Sequence, residues 1–339
     1  MFVNDSCKNT GKLYLAPLKD CLMKRIQLAV PLLVLILLGS CKNDDNGPEA
    51  EIVPPRLLSE VATEDEEELQ EFLKSHFYNY EDFEEPIDPG FDMLVRIDTI
   101  AGDNADKRPL WEDVQTESIV VESADYGLDD EEEIQHNLYY VVVREGVGGS
   151  PTFADNTVLR YEGSLLSGDA FDASNSPVNQ YLSGNLIPGY AIGVEKLNAG
   201  EGPFDNGDGT VSFEDYGIGI LFIPSGLGYF DRPPSGSGIP QYAPLIFKID
   251  VLSFEPDTDF DGDGIPSILE DVDGDGDLNN DNTDADTEPF GVFLANHNDT
   301  DDDGDGIPTR DEIDIDDEGN VTFRDTDGDG IWDHLDNDE

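Results

Sequence analysis

The sequence predicts an α+β fold: an antiparallel sheet wrapped on one short helix, with a helical preface before it and repeated acidic loops after it. Three observations predict this. Four stretches rich in β-branched and aromatic residues fall between residues 137 and 255, with one helix signal among them. An amphipathic helix pattern stands ahead of them, and one acidic motif recurs four times behind them.

The chain begins with a leader. "MKRIQLAVPLLVLILLGSCKNDDN", from Met23, has a basic start, an apolar run over Ile26–Leu38 and small residues before Cys41. The run is too short to span a bilayer and reads as a secretion signal. Met23 is therefore expected as the true start. "LLGSC", Leu37–Cys41, resembles the lipobox of bacterial lipoproteins. That resemblance implies cleavage before Cys41, lipidation of Cys41, and anchoring of residues 41–55 as a polar, Pro/Gly-containing tether. Residues 1–40 are then leader and signal. The acidic "KNDD" after Cys41 fits an outer-membrane lipoprotein, facing the periplasm or the cell surface. Cys7 and Cys21 fall in the leader, so the exported chain has no disulfide framework.

The charge is unbalanced. The 77 acidic residues against 18 basic ones give −59, which would repel a phosphate backbone and argues against nucleic acid as a partner. Residues 257–339 alone hold 31 acidic residues and two basic ones, Arg310 and Arg324. Such a segment is either disordered or neutralised by cations.

In the preface, residues 56–136, Thr63 and Glu66 match a capping box, and Leu69, Phe72, Leu73, His76 and Phe77 follow at helical spacing. A helix over 64–79 is expected, with His76 packed rather than ligating. "FDMLVRIDTI" alternates like a strand, and 102–136 reads as irregular. From 137 to 255 the strands are "NLYYVVVRE", "NTVLRYEGSLL", "GIGILFIP" and "APLIFKIDVLSF". The helix is "PGYAIGVEKL", with Pro188 at its first position and Gly200 soon after its end. "DNGDG" within 200–217 lacks alternating carboxylates and reads as a hairpin turn.

Four ordered blocks, "VLRYEGSLLSGDAFDAS", "NLIPGYAIGVEKLNAGE", "LFIPSGLGYFDRP" and "GIPQYAPLIFKIDVLSF", resemble the FKBP-type peptidyl-prolyl isomerases. The lipobox and preface look like the lipoprotein members associated with gliding motility. The resemblance covers residues 137–255 and implies an FKBP-like fold, isomerase activity on proline-containing polypeptide clients, and no cofactor for catalysis. Position by position it implies a pocket built from Tyr161, Phe171, Asp172, Leu186, Ile187, Tyr190, Tyr229, Ile239 and Phe247. Ile187 would also offer its backbone to the peptide. Tyr190 stands where the family often has tryptophan, and Phe230 replaces the usual glycine after Tyr229. Around Val178–Ser183 the match needs a gap, and no residue is carried over there.

The chemistry suits such residues. An amide rotates over a barrier of ~18–20 kcal/mol, and an uncatalysed X-Pro bond takes roughly tens to hundreds of seconds. No nucleophile or metal is needed. An apolar pocket that desolvates the carbonyl favours the twisted amide. Aromatic residues on a small sheet are core by default, so it is the ordered resemblance that makes them a pocket.

The tail, 256–339, repeats a loop with carboxylates at positions 1, 3, 5 and 12 and glycine at 6, the spacing of an EF-hand-type calcium loop. "DFDGDGIPSILE" offers Asp259, Asp261, Asp263, the Ile265 carbonyl and Glu270. "DVDGDGDLNNDN" offers Asp271, Asp273, Asp275 and Asp277 but has Asn282 at position 12. "DDDGDGIPTRDE" offers Asp301, Asp303, Asp305, Ile307 and Glu312. "DTDGDGIWDHLD" offers Asp325, Asp327, Asp329, Ile331, Asp333 and Asp336. The recurrent "DxDGDGI" resembles thrombospondin type 3 repeats, which implies structural Ca2+. Extracellular calcium modules bind at ~10⁻⁴–10⁻³ M. His297 and His334 are not at zinc spacing.

The expected protein is a monomeric, lipid-anchored isomerase with a calcium-binding extension, assisting envelope proteins. A non-catalytic peptide-binding module on the same fold, or a surface adhesion protein working through its tail, are the alternatives.

Overall fold

The computed structural model describes residues 54–88, 90–289 and 291–337. Cys41, the leader and most of the tether lie outside the described residues. From Pro55 onward the chain forms one compact unit.

Helix α1 spans Leu58–Ser75, starting six residues earlier than expected. Thr63 is inside it, its hydroxyl donating to the Ser59 carbonyl (2.9 Å), so it caps nothing. The start is set by packing instead: Leu58 and Val61 are buried, and Arg56 pairs with Glu64 at 2.6 Å. The end is set by a change of partner. His76–Tyr78 leaves the helix as strand β1 and pairs antiparallel with β2, Ile97–Thr99. His76 stacks on Phe72 at 3.9 Å, a packing role.

The main sheet contains β3 (Gln115–Glu122), β4 (Glu133–Arg144), β5 (Asn156–Leu165) and β6 (Ala170–Tyr181). After α2 (Pro188–Val194) and the hairpin of β7 (Glu201–Asp205) and β8 (Val211–Glu214) come β9 (Gly217–Ile223) and β10 (Leu245–Glu255). The order is β3-β4-β9-β10-β5-β6, antiparallel throughout. This is the expected α+β class. The sheet has two edge strands beyond the four predicted ones. β3 lies in the stretch read as irregular, and β6 carries "SNSPVNQ", so neither edge shows an apolar alternation that a sequence reader could count.

Strand β9 is buried at all seven residues, because both faces of the sheet are covered. Ile218, Ile220 and Phe222 face Leu69, Phe72 and Leu73 of α1. Leu221 and Ile223 face α2, with Tyr190 and Val194. A Cβ at Gly193 would stand 2.4 Å from Leu221, so glycine lets α2 lie directly on the sheet. Each fully buried leucine or phenylalanine here contributes about 1.5–3 kcal/mol. The sheet is therefore held between two helices, not only wrapped on one.

The tail holds little regular structure: α3 (Thr309–Glu312) and a small hairpin of β11 (Ile313–Ile315) and β12 (Val321–Phe323). It packs against the β6 side of the sheet. Phe260 stacks on Tyr181 at 4.3 Å, the Thr258 hydroxyl accepts from the Asn156 amide (2.9 Å), and Asn279 donates to the Ser183 carbonyl (3.1 Å). Ile265 and Leu278 are fully buried among the acidic loops. Among the described residues, no helix is long and apolar enough to cross a membrane.

Candidate functional site

A cavity of about 290 Å³ opens between β5, β6, β10, α2 and the segment after β9. All nine pocket residues expected from the sequence line it: Tyr161, Phe171, Asp172, Leu186, Ile187, Tyr190, Tyr229, Ile239 and Phe247. Gln180, Asn185, Pro234 and Ser237 line it too and were not expected. Gln180 lies in the stretch where no residue was carried over.

The strand register explains the assembly. Gly163 on β5 pairs with Phe247 on β10 and with Asp172 on β6. A Cβ there would stand 2.6 Å from the Phe171 ring and 2.8 Å from the Phe247 ring, so only glycine lets the two rings meet over the strand. They do so edge to face at 5.6 Å. Phe247 meets Tyr190 at 4.9 Å and Tyr161 at 6.5 Å. Ile187 is the residue just before α2, which its neighbour Pro188 starts.

Two polar contacts fix the aromatic box. The Tyr161 hydroxyl donates to Asp172 Oδ2 at 2.8 Å. Burial and the Asp172 carboxylate push the Tyr161 phenol up to about 12. The Tyr190 hydroxyl donates to Gln180 Oε1 at 2.8 Å. Burial pushes that phenol upward as well. Gln180 thus satisfies the hydroxyl that Tyr190 brings to the cavity floor, where the resemblance implies a tryptophan. Burial also raises the Tyr229 phenol, with Asp172 adding to it.

Phe230, where the resemblance implies glycine, keeps a glycine-like backbone, with φ +45°. Its ring is buried, packed on Tyr126 at 4.4 Å and Tyr242 at 5.0 Å. It faces away from the cavity, into the core. The loop before it is tied to α1, because buried Asp65 accepts from both the amide and the hydroxyl of Ser225 at 2.7 Å.

A wider groove of about 970 Å³ leads from Leu186, Ile187 and Tyr229 toward Asp275, Asp277 and Asn280 of the second acidic loop. Glu122 and Asp125 lie on its other side. The tail therefore forms one wall beside the aromatic cavity.

The four acidic loops share one backbone conformation. In each, the amide at position 5 donates to the carboxylate at position 3, and the amide at position 7 to the carboxylate at position 5. The glycine at position 6 has φ between +85° and +110°. Carboxylate triads with ligand atoms within 4.8 Å of one another include Asp259/Asp261/Asp263 and Asp301/Asp303/Asp305. In the second loop Asp281 completes Asp271/Asp273 where Asn282 was weak, and Asp275 and Asp277 turn toward Asn280 and Asn279 instead. Asp284/Glu288/Asp299 lies between loops and was not foreseen. In the fourth loop Asp333 accepts from the amide and hydroxyl of Thr326, so it braces the loop with the oxygens expected to ligate. Glu270 and Glu312, the expected closing residues, are both buried. Burial, then the charges of Asp302, Asp263 and Asp261, push the Glu270 carboxyl up to about 10. The oxygen-only donor set fits a hard divalent cation.

No protein-family model matches the chain. The curated FKBP-type peptidyl-prolyl cis-trans isomerase FkpA of Escherichia coli K12 is 30% identical over 122 residues, 35% of this chain and 38% of FkpA. The peptidyl-prolyl cis-trans isomerase Mip of Chlamydia pneumoniae is 27% identical over 123 residues, 35% of this chain and 40% of Mip. The outer membrane protein MIP of Legionella longbeachae is 28% identical over 119 residues, 34% and 43% of the two chains. The chain thus spans less than half the length of these relatives. The crystal structure of FkpA from Escherichia coli matches with a TM-score of 0.30 at 20% identity, covering 70% of this chain and 74% of that one. The class this defines is an α+β domain similar to the FKBP-type peptidyl-prolyl isomerases.

Proposed function

We propose that the protein is a peptidyl-prolyl cis-trans isomerase that acts on proline-containing segments of exported or envelope polypeptides. The observation that carries this reading is the aromatic cavity, with the rings of Phe171 and Tyr190 each edge to face with Phe247 and the Tyr161–Asp172 hydrogen bond at its edge. A proline ring would enter between the rings and release water. The carbonyl before it would lose its solvent hydrogen bonds, and the planar amide would lose resonance stabilisation relative to the twisted state. The Tyr229 hydroxyl and the Ile187 amide are the donors for the flanking peptide. Asp172 orients Tyr161 and removes no proton from substrate.

A lipidated Cys41 would hold the protein at the membrane. The tail reading is a calcium-binding extension. The buried carboxylates fit the ion, which would supply the positive charge they lack.

The test is the cis-to-trans rate of a short X-Pro peptide with the chain and with a Phe171→Ala/Asp172→Ala variant. Acceleration that the variant loses is expected. No acceleration by the folded chain would overturn the enzyme reading and leave a peptide-binding module.

A further inference from the structure

We propose that a divalent cation held by Asp263, Glu270 and Asp302 fastens the third acidic loop onto the first. This rests on reading the tail as cation-binding, and goes beyond it by naming a position that no single loop supplies.

The three carboxylates offer ligand atoms within 4.8 Å of one another. All are buried, at 2%, 3% and 2% exposure. Asp263 Oδ2 and both oxygens of Glu270 and of Asp302 are buried without a hydrogen-bond partner that satisfies them. The Ser267 and Thr309 hydroxyls offset the burial of Glu270 and Asp302 only in small part. Among the described residues none of the three forms an ion pair. Arg310 reaches Asp263 only through its field. Buried, unpaired carboxylates are among the costliest groups a fold can hold, and a cation between them removes the cost.

Asp302 is the informative residue. It occupies position 2 of its loop, where the other loops carry Phe260, Val272 and Thr326. Position 2 is not a ligand position of such a loop. The backbone there is ordinary: the Asp302 amide donates to the Thr309 hydroxyl at 3.1 Å, as the Phe260 amide does to the Ser267 hydroxyl at 3.2 Å. Only the side chain differs, and it leaves its own loop to enter the first. The two loops are pressed together at that point. A Cβ on Gly264, φ +110°, would stand 2.7 Å from the Ile315 side chain and 2.8 Å from Arg310. Asp263 also belongs to the first loop's own triad with Asp259 and Asp261, so the shared position adjoins that loop's turn. With oxygen donors only, the ion is a hard one. The irregular set, drawn from residues 39 apart in sequence, suits calcium better than the strict octahedron of magnesium.

The experiment measures bound calcium per chain by equilibrium dialysis at millimolar free calcium. It also measures thermal unfolding in calcium and in EDTA. Wild type, Asp302→Asn and Asp302→Thr are compared, the last carrying the side chain that loop four tolerates. Both variants are expected to bind one calcium fewer than wild type. They should unfold at lower temperature in calcium and at higher temperature in EDTA, where a buried repulsion has been removed. Unchanged calcium count, or a shift of the same sign in both conditions, would overturn the proposal while leaving the tail reading intact. No calcium bound by wild type would overturn both. Binding of magnesium at equal strength would overturn the assignment of the ion.

Discussion

Asp65 on helix α1 accepts two 2.7 Å hydrogen bonds from Ser225, one from its amide and one from its hydroxyl, across 160 residues of sequence. Ser225 opens the turn that leads to Tyr229 at the cavity. The preface is thus bonded to the loop that shapes the pocket. Burial pushes the Asp65 carboxyl up to about 6 despite these bonds. A carboxyl raised in the folded state favours folding while protonated, and that contribution is lost as pH rises from about 4 to about 6. Asp65→Asn keeps an acceptor for both bonds and removes the charge. It should match wild type below pH 4 and exceed it by about 3 kcal/mol at pH 7. Asp65→Ala leaves the Ser225 amide buried and unpaired, and should cost about 2 kcal/mol at pH 4. Denaturant unfolding across pH 3.5–7.5 measures both.

Loss of the Tyr161–Asp172 hydrogen bond should slow the proposed reaction without unfolding the domain. Tyr161→Phe and Asp172→Ala are each expected to lower kcat/KM for an X-Pro peptide by about tenfold, and the double variant by little more, since the two residues act as one unit. Fully additive losses would separate their roles. The Tyr161 phenol, raised to about 12, stays protonated through neutral pH. Wild-type rates should be flat between pH 6 and 9.

Phe230 combines a positive φ with a buried ring. Truncation should therefore follow an unusual order. Phe230→Ala loses the packing on Tyr126 and Tyr242 and keeps the backbone strain, costing about 4 kcal/mol. Phe230→Gly loses the same packing but relieves the strain, so it should be about 1 kcal/mol more stable than the alanine variant. Urea midpoints decide the ranking.

The acidic groove wall should bias the choice of client. Among the described residues, those lining it include Glu122, Asp125, Asp275 and Asp277 and no lysine or arginine. Peptides with Lys or Arg beside the proline should be turned over several-fold faster than Glu-flanked ones at low ionic strength, with the gap closing in ~0.5 M salt. Asp275→Asn/Asp277→Asn should shrink the gap, measured in the same peptide assay.

Much of the fold was legible where one face of an element is apolar. β9 and β10 read as strands because "GILFI" and "LIFKIDVL" are buried by both helices. β3 and β6 were not legible, because edge strands show water a polar face and need pair only on one side. The helix start was misplaced because Thr63 and Glu66 matched a capping pattern, while burial of Leu58 and Val61 decided the boundary. In the cavity, the lining rings were visible through the ordered blocks. Gln180 was not, since its value lies in meeting the Tyr190 hydroxyl across strands. In the tail, the shared turn of each loop was legible from the spacing of its carboxylates at positions 3 and 5 and its glycine at position 6. Asp281 and Asp302 were not, because their place depends on how loops fold on one another.

The strand order β3-β4-β9-β10-β5-β6 puts the sheet's two middle strands last of its six in sequence. When a ribosome or an export channel delivers the protein from its N-terminus, the β3–β4 and β5–β6 pairs emerge with no middle strands to join them, and α1 waits with its apolar stripe uncovered. The hairpin of residues 217–255 is the keystone that closes everything made before it. Until it arrives the earlier segments must be kept apart from other chains. A protein proposed to help others fold would thus itself be slow to close, and chains stopped short of residue 251 should have no native intermediate to rest in.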